Sequence, residues 1–329
     1  MANDQFDTDH DAAAASSRPA PDLAMAREAG EVITHMLGDG RSVIDPTATI
    51  WTAEAAEELR SRIGDNLIVG SGQGQWDKLD QQLQGAPRDV VLLAAEIVFL
   101  REHPLRSVLP ETRRAHVDRV LSHLDSPVTV PARMSTWLAR PTGIAGFEPG
   151  SWYNGSMWRH VTWTASFVRY WQGLLEGERE VARTDPWKLQ HAMLSSGNDR
   201  PDIRNALQFL ARPDIFEPIA SAGMKQKIRD GLADRIGGAT GSDPASIDRD
   251  LLAIRTALAR SVAGPFHFWT PGVEELWDSS AGEPDPAATG VATLAEPRPA
   301  ITGSTLPVHR PQSGRSSRPA ASWRSAGMS

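Results

Sequence analysis

The sequence contains no cysteine, which excludes disulfides, thiolate nucleophiles, cysteine-ligated zinc and iron–sulfur clusters. Lysine is nearly as scarce: only Lys78, Lys188, Lys225 and Lys227 occur. No apolar run reaches the roughly 18 residues of a membrane span, and the opening MANDQFDTDHD is acidic where a secretory leader would be basic and then apolar. A soluble, cytoplasmic protein is expected, with no membrane partner. Basic residues are outnumbered, 34 against 41 acidic, leaving a formal charge of −7. Any contact with nucleic acid would therefore have to come from a local basic patch.

Aromatic residues are what the chain does have. Its 329 residues include 11 Trp and 8 Phe, enough with 40% apolar residues to fill a sizeable core. Hydrophobic spacing is helical over Leu23 to Met36, Thr52 to Ile63, Pro87 to His103 and Pro110 to Leu124. The pair Asp243-Pro244 reads as a cap and first turn opening a further helix to about Arg260. Strand candidates are limited to Leu67–Val69 and Val128–Val130. The fold class is mostly α: a multi-helix globular domain, in two helical lobes if the Pro/Gly-rich stretch 127–150 is a connection. The expected organisation is a disordered acidic lead at 1–22, a first lobe at 23–126, that connection, a second lobe with an aromatic core at 151–277, and a disordered Pro/Ala/Ser/Arg tail at 278–329.

Motifs that would carry catalysis are incomplete. Gly70, Gly72 and Gly74 in LIVGSGQGQW fit neither G-x-x-x-x-G-K-[ST] nor G-x-G-x-x-G, and Lys78 stands past the loop, so a flexible turn is expected there. His116 and His123 share a helix face near Asp118 and Asp125, without the H-E-x-x-H spacing of a metal site. Pro213-Asp214 and Glu217 begin a nuclease-like carboxylate pattern, but Ile219 stands where its lysine is needed. No local signature links a serine to a histidine as nucleophile and base. The sequence thus nominates no catalytic, cofactor or metal residue, and an enzyme is not expected of the chain as it stands.

Binding features are better defined. Trp152, Tyr153, Trp158, Trp163, Phe167, Tyr170 and Trp171 crowd into twenty residues. On a helix from about Met157 to Leu175 they cover most of the circumference, as core packing requires. The alternative is a base-stacking platform with Arg159, His160 and Arg169 as interleaved donors. Further on, a helix from about Ser221 has Met224, Ile228, Leu232 and Ile236 as its expected buried stripe. That register puts Lys225 and Arg229 on an exposed strip, with Lys227 pointing elsewhere; a solvated face or a phosphate-contacting patch both follow.

Three stretches in this order, VGSGQGQWDKLDQQLQGAPRDVVLLAAEIVFL, then WYNGSMWRHVTWTASFVRYWQGL with DPWKLQ, then ALQFLARPDIFEPIASAGMKQKIRDGL, resemble the region upstream of the motor in McrB-like AAA+ ATPases. The likeness spans roughly Gly30 to Trp277. Its most distinctive part is Phe216, Glu217, Pro218, Ile219, Ser221, Lys225, Lys227 and Ile228. The resemblance implies an accessory region of a restriction or defence ATPase, recognising DNA or a partner AAA+ or nuclease subunit. Where such proteins continue into the Walker-containing module, this chain has its Pro/Ala/Ser/Arg tail, as expected of a truncated or frame-shifted product or of a short relative. ATP or GTP with Mg is implied only if that module is supplied elsewhere. Pure docking or oligomerisation is the remaining reading.

Overall fold

The computed structural model describes residue 14 and residues 16–278, which lie in one compact unit. The tail from 279 onward and residues 1–13 and 15 of the lead fall outside the described residues. The fold is mostly helical, with no strand among the described residues. Leu67–Val69 and Val128–Val130 are irregular, and pairing is limited to the isolated bridges Arg41–Thr49 and Leu105–Phe147.

Among the described residues thirteen α-helices follow in order: α1 (Ala20–Leu37), α2 (Ala53–Arg60), α3 (Gln75–Leu83), α4 (Arg88–Glu102), α5 (Pro110–Leu121), α6 (Ala132–Leu138), α7 (Gly150–Asn154), α8 (Met157–Gly173), α9 (Glu176–Thr184), α10 (Pro186–Ser195), α11 (Pro201–Ala211), α12 (Ala222–Leu232) and α13 (Pro244–Leu258). Local chemistry explains many of the boundaries. Prolines open α5, α10, α11 and α13, where a missing N–H costs nothing. Asp243 caps α13 by accepting from the Ala245 and Ser246 amides, both at 3.0 Å. Thr52 caps α2 in the same way, through the Ala55 amide at 3.1 Å.

The apolar core does not divide at 127–150. One large cluster draws on residues from Met25 to Ala220, on both sides of that stretch, with α2 and α8 among its most extensively packed pairs. A smaller cluster of Ile219, Ile228, Leu232, Leu251, Ile254, Phe266, Phe268 and Trp277 closes the C-terminal end. Helix α4 is buried on every side, including the one acid in its middle, Glu96. Its Oε1 accepts from the Ser42 hydroxyl (2.6 Å) and the Val43 and Ile44 amides (2.6 and 3.0 Å), and its Oε2 from Trp51 Nε1 (3.0 Å). The carboxylate thereby ties the loop 40–51 to the core, although burial pushes its pKa up.

The described part of the expected disordered lead is packed. Arg18 and Asp22 are buried, because each finds partners far along the chain: Arg18 in Glu217 at 3.1 Å, and Asp22 in the Gly146 amide at 2.8 Å. Gly146 itself has φ +90°, and a Cβ there would collide with the Pro104 carbonyl oxygen. Gly146→Ala is expected to lower stability by about 1–3 kcal/mol, measured as an earlier urea midpoint with unchanged slope.

Candidate functional site

The basic residues of the sequence sort into two groups once their partners are known. Lys225 is buried, its Nζ donating to Asp248 Oδ1 at 2.6 Å, while Gln190 donates to the other oxygen at 2.7 Å. Arg229 is buried as well, bonded to Asp230 (2.6 Å), Asp250 (3.1 Å) and the Gly241 carbonyl. The exposed strip expected for Lys225 and Arg229 is thus a buried one. The stripe that faces α13 is Lys225, Ile228, Arg229 and Leu232, while Met224 and Ile236 are only half-buried. Its two cations are matched by acids on α13, which spacing along α12 does not reveal. Burial pulls the Lys225 ammonium below its ordinary range, against the attraction of Asp248.

Lys227 is half-exposed but occupied, bonded to Asp278 at 2.6 Å and lying 5.2 Å from the Trp277 ring centre. Lys225→Met, which strands Asp248, is expected to cost about 3 kcal/mol in urea unfolding. Lys227→Ala should cost less than about 1 kcal/mol. Arg169 is also paired, with Glu57 at 2.7 Å, and Arg60 and Arg169 together hold that carboxyl down to about 2.

The distinctive FEPI segment has a structural explanation. Glu217 is fully buried between Arg255 (2.7 and 2.8 Å) and Arg18 (3.1 Å). Although burial opposes its charge, the two guanidinium groups hold its carboxyl down to about 2. Arg255 in turn lies 4.6 and 5.2 Å from the Phe266 and Phe268 ring centres and donates to the Ser17 and Phe266 carbonyls. One carboxylate therefore joins residues 17–18, the FEPI segment, α13 and the aromatic stretch after it. Asp214, its partner in the nuclease-like pattern, is bonded to Arg212 instead. The paired histidines separate as well. His116 bonds to Glu102 (2.7 Å) under a stacked Trp76, and His123 contacts Asp80 (3.2 Å). Among the described residues no three His, Asp or Glu side chains gather for a metal ion.

Arg159 behaves differently. It forms no ion pair among the described residues, and its guanidinium lies between two indoles, 5.3 Å from the Trp152 ring centre and 4.9 Å from that of Trp158. Trp152 is 66% exposed, against 2% or less for Tyr153, Trp163, Phe167 and Trp171. The aromatic cluster is thus mainly core, with one edge turned outward. His160, read from sequence as a further donor, is buried. Its Nε2 donates to Asp202 (2.9 Å) and its Nδ1 accepts from Arg101 (3.2 Å), so it supports the surface from beneath. Burial lowers its pKa, while its hydrogen bond helps to hold Asp202, against burial, at about 2.

The position of that edge is fixed by buried polar groups. Arg101, at the end of α4, donates to the carbonyls of Tyr153 and Asn154, each at 3.0 Å, and the Tyr153 hydroxyl donates back to the Arg101 carbonyl. The short helix α7 that carries Trp152 is thereby pinned to the core. Around it lie three depressions, neighbours through the residues they share. The first, about 290 Å³, lies between the glycine turn (Leu67, Val69, Gly70), Lys78 and Trp158. The second, about 320 Å³, lies between Trp158, Arg159 and Trp152 and shares Gly155 and Trp158 with the first. The third, about 440 Å³, runs from Trp152 to Arg200 and Ser221.

Lys78, half-buried, reaches back to the Gly70 carbonyl at 2.5 Å and forms no ion pair among the described residues. Arg200 is the exception, bonded to Asp202 at 2.9 Å. The trough therefore alternates Lys78, Trp158, Arg159 and Trp152: two cations without carboxylates, of which Arg159 lies between the two indoles and Lys78 beyond Trp158. Arg159 is marked in the sequence by its aromatic neighbours, whereas Lys78 stands past a glycine turn that fits no phosphate loop and Arg200 carries no local signal.

Compared with family models, curated proteins and solved structures, the chain matches none. No helix among the described residues is long and apolar enough to cross a membrane.

Proposed function

We propose that this chain is a recognition module that binds single-stranded nucleic acid along the trough of Lys78, Trp158, Arg159 and Trp152. One observation carries the reading: the cations of this trough lack carboxylate partners and alternate with indoles, whereas Lys225, Lys227, Arg229 and Arg169 are all committed to acids. An exposed indole offers a stacking face to an unpaired base, and a neighbouring cation holds the adjoining phosphate. A paired duplex keeps its base faces covered, so the trough suits single strands or loops. The local patch acts against an overall acidic charge, so binding should be modest and strongly salt-dependent.

The sequence resemblance to the region upstream of the motor in McrB-like AAA+ ATPases supports an accessory role, with an AAA+ or nuclease subunit as partner and any nucleotide hydrolysis belonging to that partner. The test is fluorescence anisotropy with a labelled twelve-nucleotide oligothymidylate and its duplex form at 50 and 200 mM salt. Tighter binding of the single strand, weakening with salt, supports the reading. Equal or exclusive binding of duplex overturns it. No binding of either leaves protein docking through the exposed Val69 and Trp152 as the better account.

A further inference from the structure

Beyond the trough lies a larger cavity, about 660 Å³, within the size range of pockets that hold small organic ligands. Its walls are mainly apolar: Phe147, Pro149, Pro218, Ile219, Met224 and Trp269. Trp269 is 38% exposed and packs edge-on against Trp277 at 6.4 Å, so its ring is held at the cavity while part of it stays open. Arg106 and His267 are among the polar groups that line it.

Arg106 is half-buried and forms no ion pair among the described residues. The one hydrogen bond of its guanidinium, from Nη2 to the Gly143 carbonyl at 2.7 Å, leaves most of the side chain's N–H donors unused. His267 turns Nε2 toward Asp22 at 3.4 Å, and Asp22 also accepts from the Gly146 amide. Two acids bear on the site, Asp22 behind the imidazole and exposed Glu148 at the lining. Burial raises the Asp22 carboxyl above its ordinary range, against the Gly146 hydrogen bond and the neighbouring His267 and Arg106.

We infer that this cavity is a binding site for a small aromatic carboxylate, its ring against Trp269 and Phe147 and its carboxylate on the Arg106 guanidinium. Planar rings suit walls built from indole, phenyl and proline rings. A guanidinium with unused donors beside an apolar chamber selects a carboxylate over its neutral amide. The site does not depend on the trough, and its occupant need not be a nucleotide.

The experiment is calorimetric titration of the full chain with 1-naphthoate and with the neutral 1-naphthamide. The wild type is expected to bind one naphthoate, at least about tenfold more tightly than the amide, the factor expected of one charge-assisted contact. Arg106→Gln should bring the two ligands to similar affinity. Met224→Trp, which fills the chamber, should abolish both. Trp152→Ala should change neither, which separates this site from the trough. Equal binding of the two ligands by the wild type, a preference that survives in Arg106→Gln, or no binding of either at millimolar concentration would each overturn the assignment.

Discussion

Replacing Glu217 by Gln is expected to lower the stability of the protein by about 3–5 kcal/mol, the largest loss for any single substitution considered. The glutamine keeps the shape but removes the charge that two buried guanidinium groups share. Arg18 and Arg255 are each about 1% exposed at the side chain, so neither can turn to water for compensation. Arg18 already has two guanidinium nitrogens with no protein partner. Its pKa is accordingly pushed down to about 10 by burial, against the pull of Glu217. Removing that pull leaves two like charges facing each other inside the core.

The same site sets a pH dependence. The folded carboxyl lies at about 2 against about 4.5 for the ordinary group, so ionised Glu217 stabilises the fold. That contribution is complete above pH 4.5 and disappears progressively as pH falls toward 2. Urea midpoints of wild type and Glu217→Gln should therefore differ most near neutrality and converge in acid. A gap that stays constant from pH 7 to pH 3 would mean that the carboxylate charge is not what holds these segments together.

The second large effect concerns the trough. Trp152→Ala is expected to weaken oligothymidylate binding roughly tenfold, since one base loses its stacking partner, worth about 1–3 kcal/mol. Lys78→Ala with Arg159→Ala should act differently, lowering the slope of log K against log salt by about 0.7 for each phosphate contact removed. Neither change should unfold the protein, because Trp152 is mostly exposed and neither cation holds a buried acid. Lys227→Ala and Arg169→Ala are the matched controls. Both remove surface cations already engaged by carboxylates, and both should leave the slope as it was.

These outcomes differ in how far the sequence foretold them. The helices over Pro87–His103 and from Pro244 were legible, because apolar spacing and terminal Pro or Asp act within a few residues of where they are read. The buried charges were not. Lys225 meets Asp248 across 23 positions and Arg18 meets Glu217 across 199, and a periodicity argument assigns every charge to solvent by default. The packed end of the lead and the reversed face of α12 share that origin. The trough is intermediate: Arg159 and Trp152 stand out by composition, but Lys78 joins them because α3 packs on α8 and meets α7 through Gln75 and the Asn154 carbonyl at 2.9 Å.

Photocrosslinking gives the most direct test of where a single strand lies. A twelve-nucleotide strand carrying bromodeoxyuridine, irradiated with the full chain and mapped by mass spectrometry, should label peptides containing Trp152 and Trp158. Labelling confined to the Lys225–Arg229 segment or to the other face of α8 at Arg169 would contradict the account.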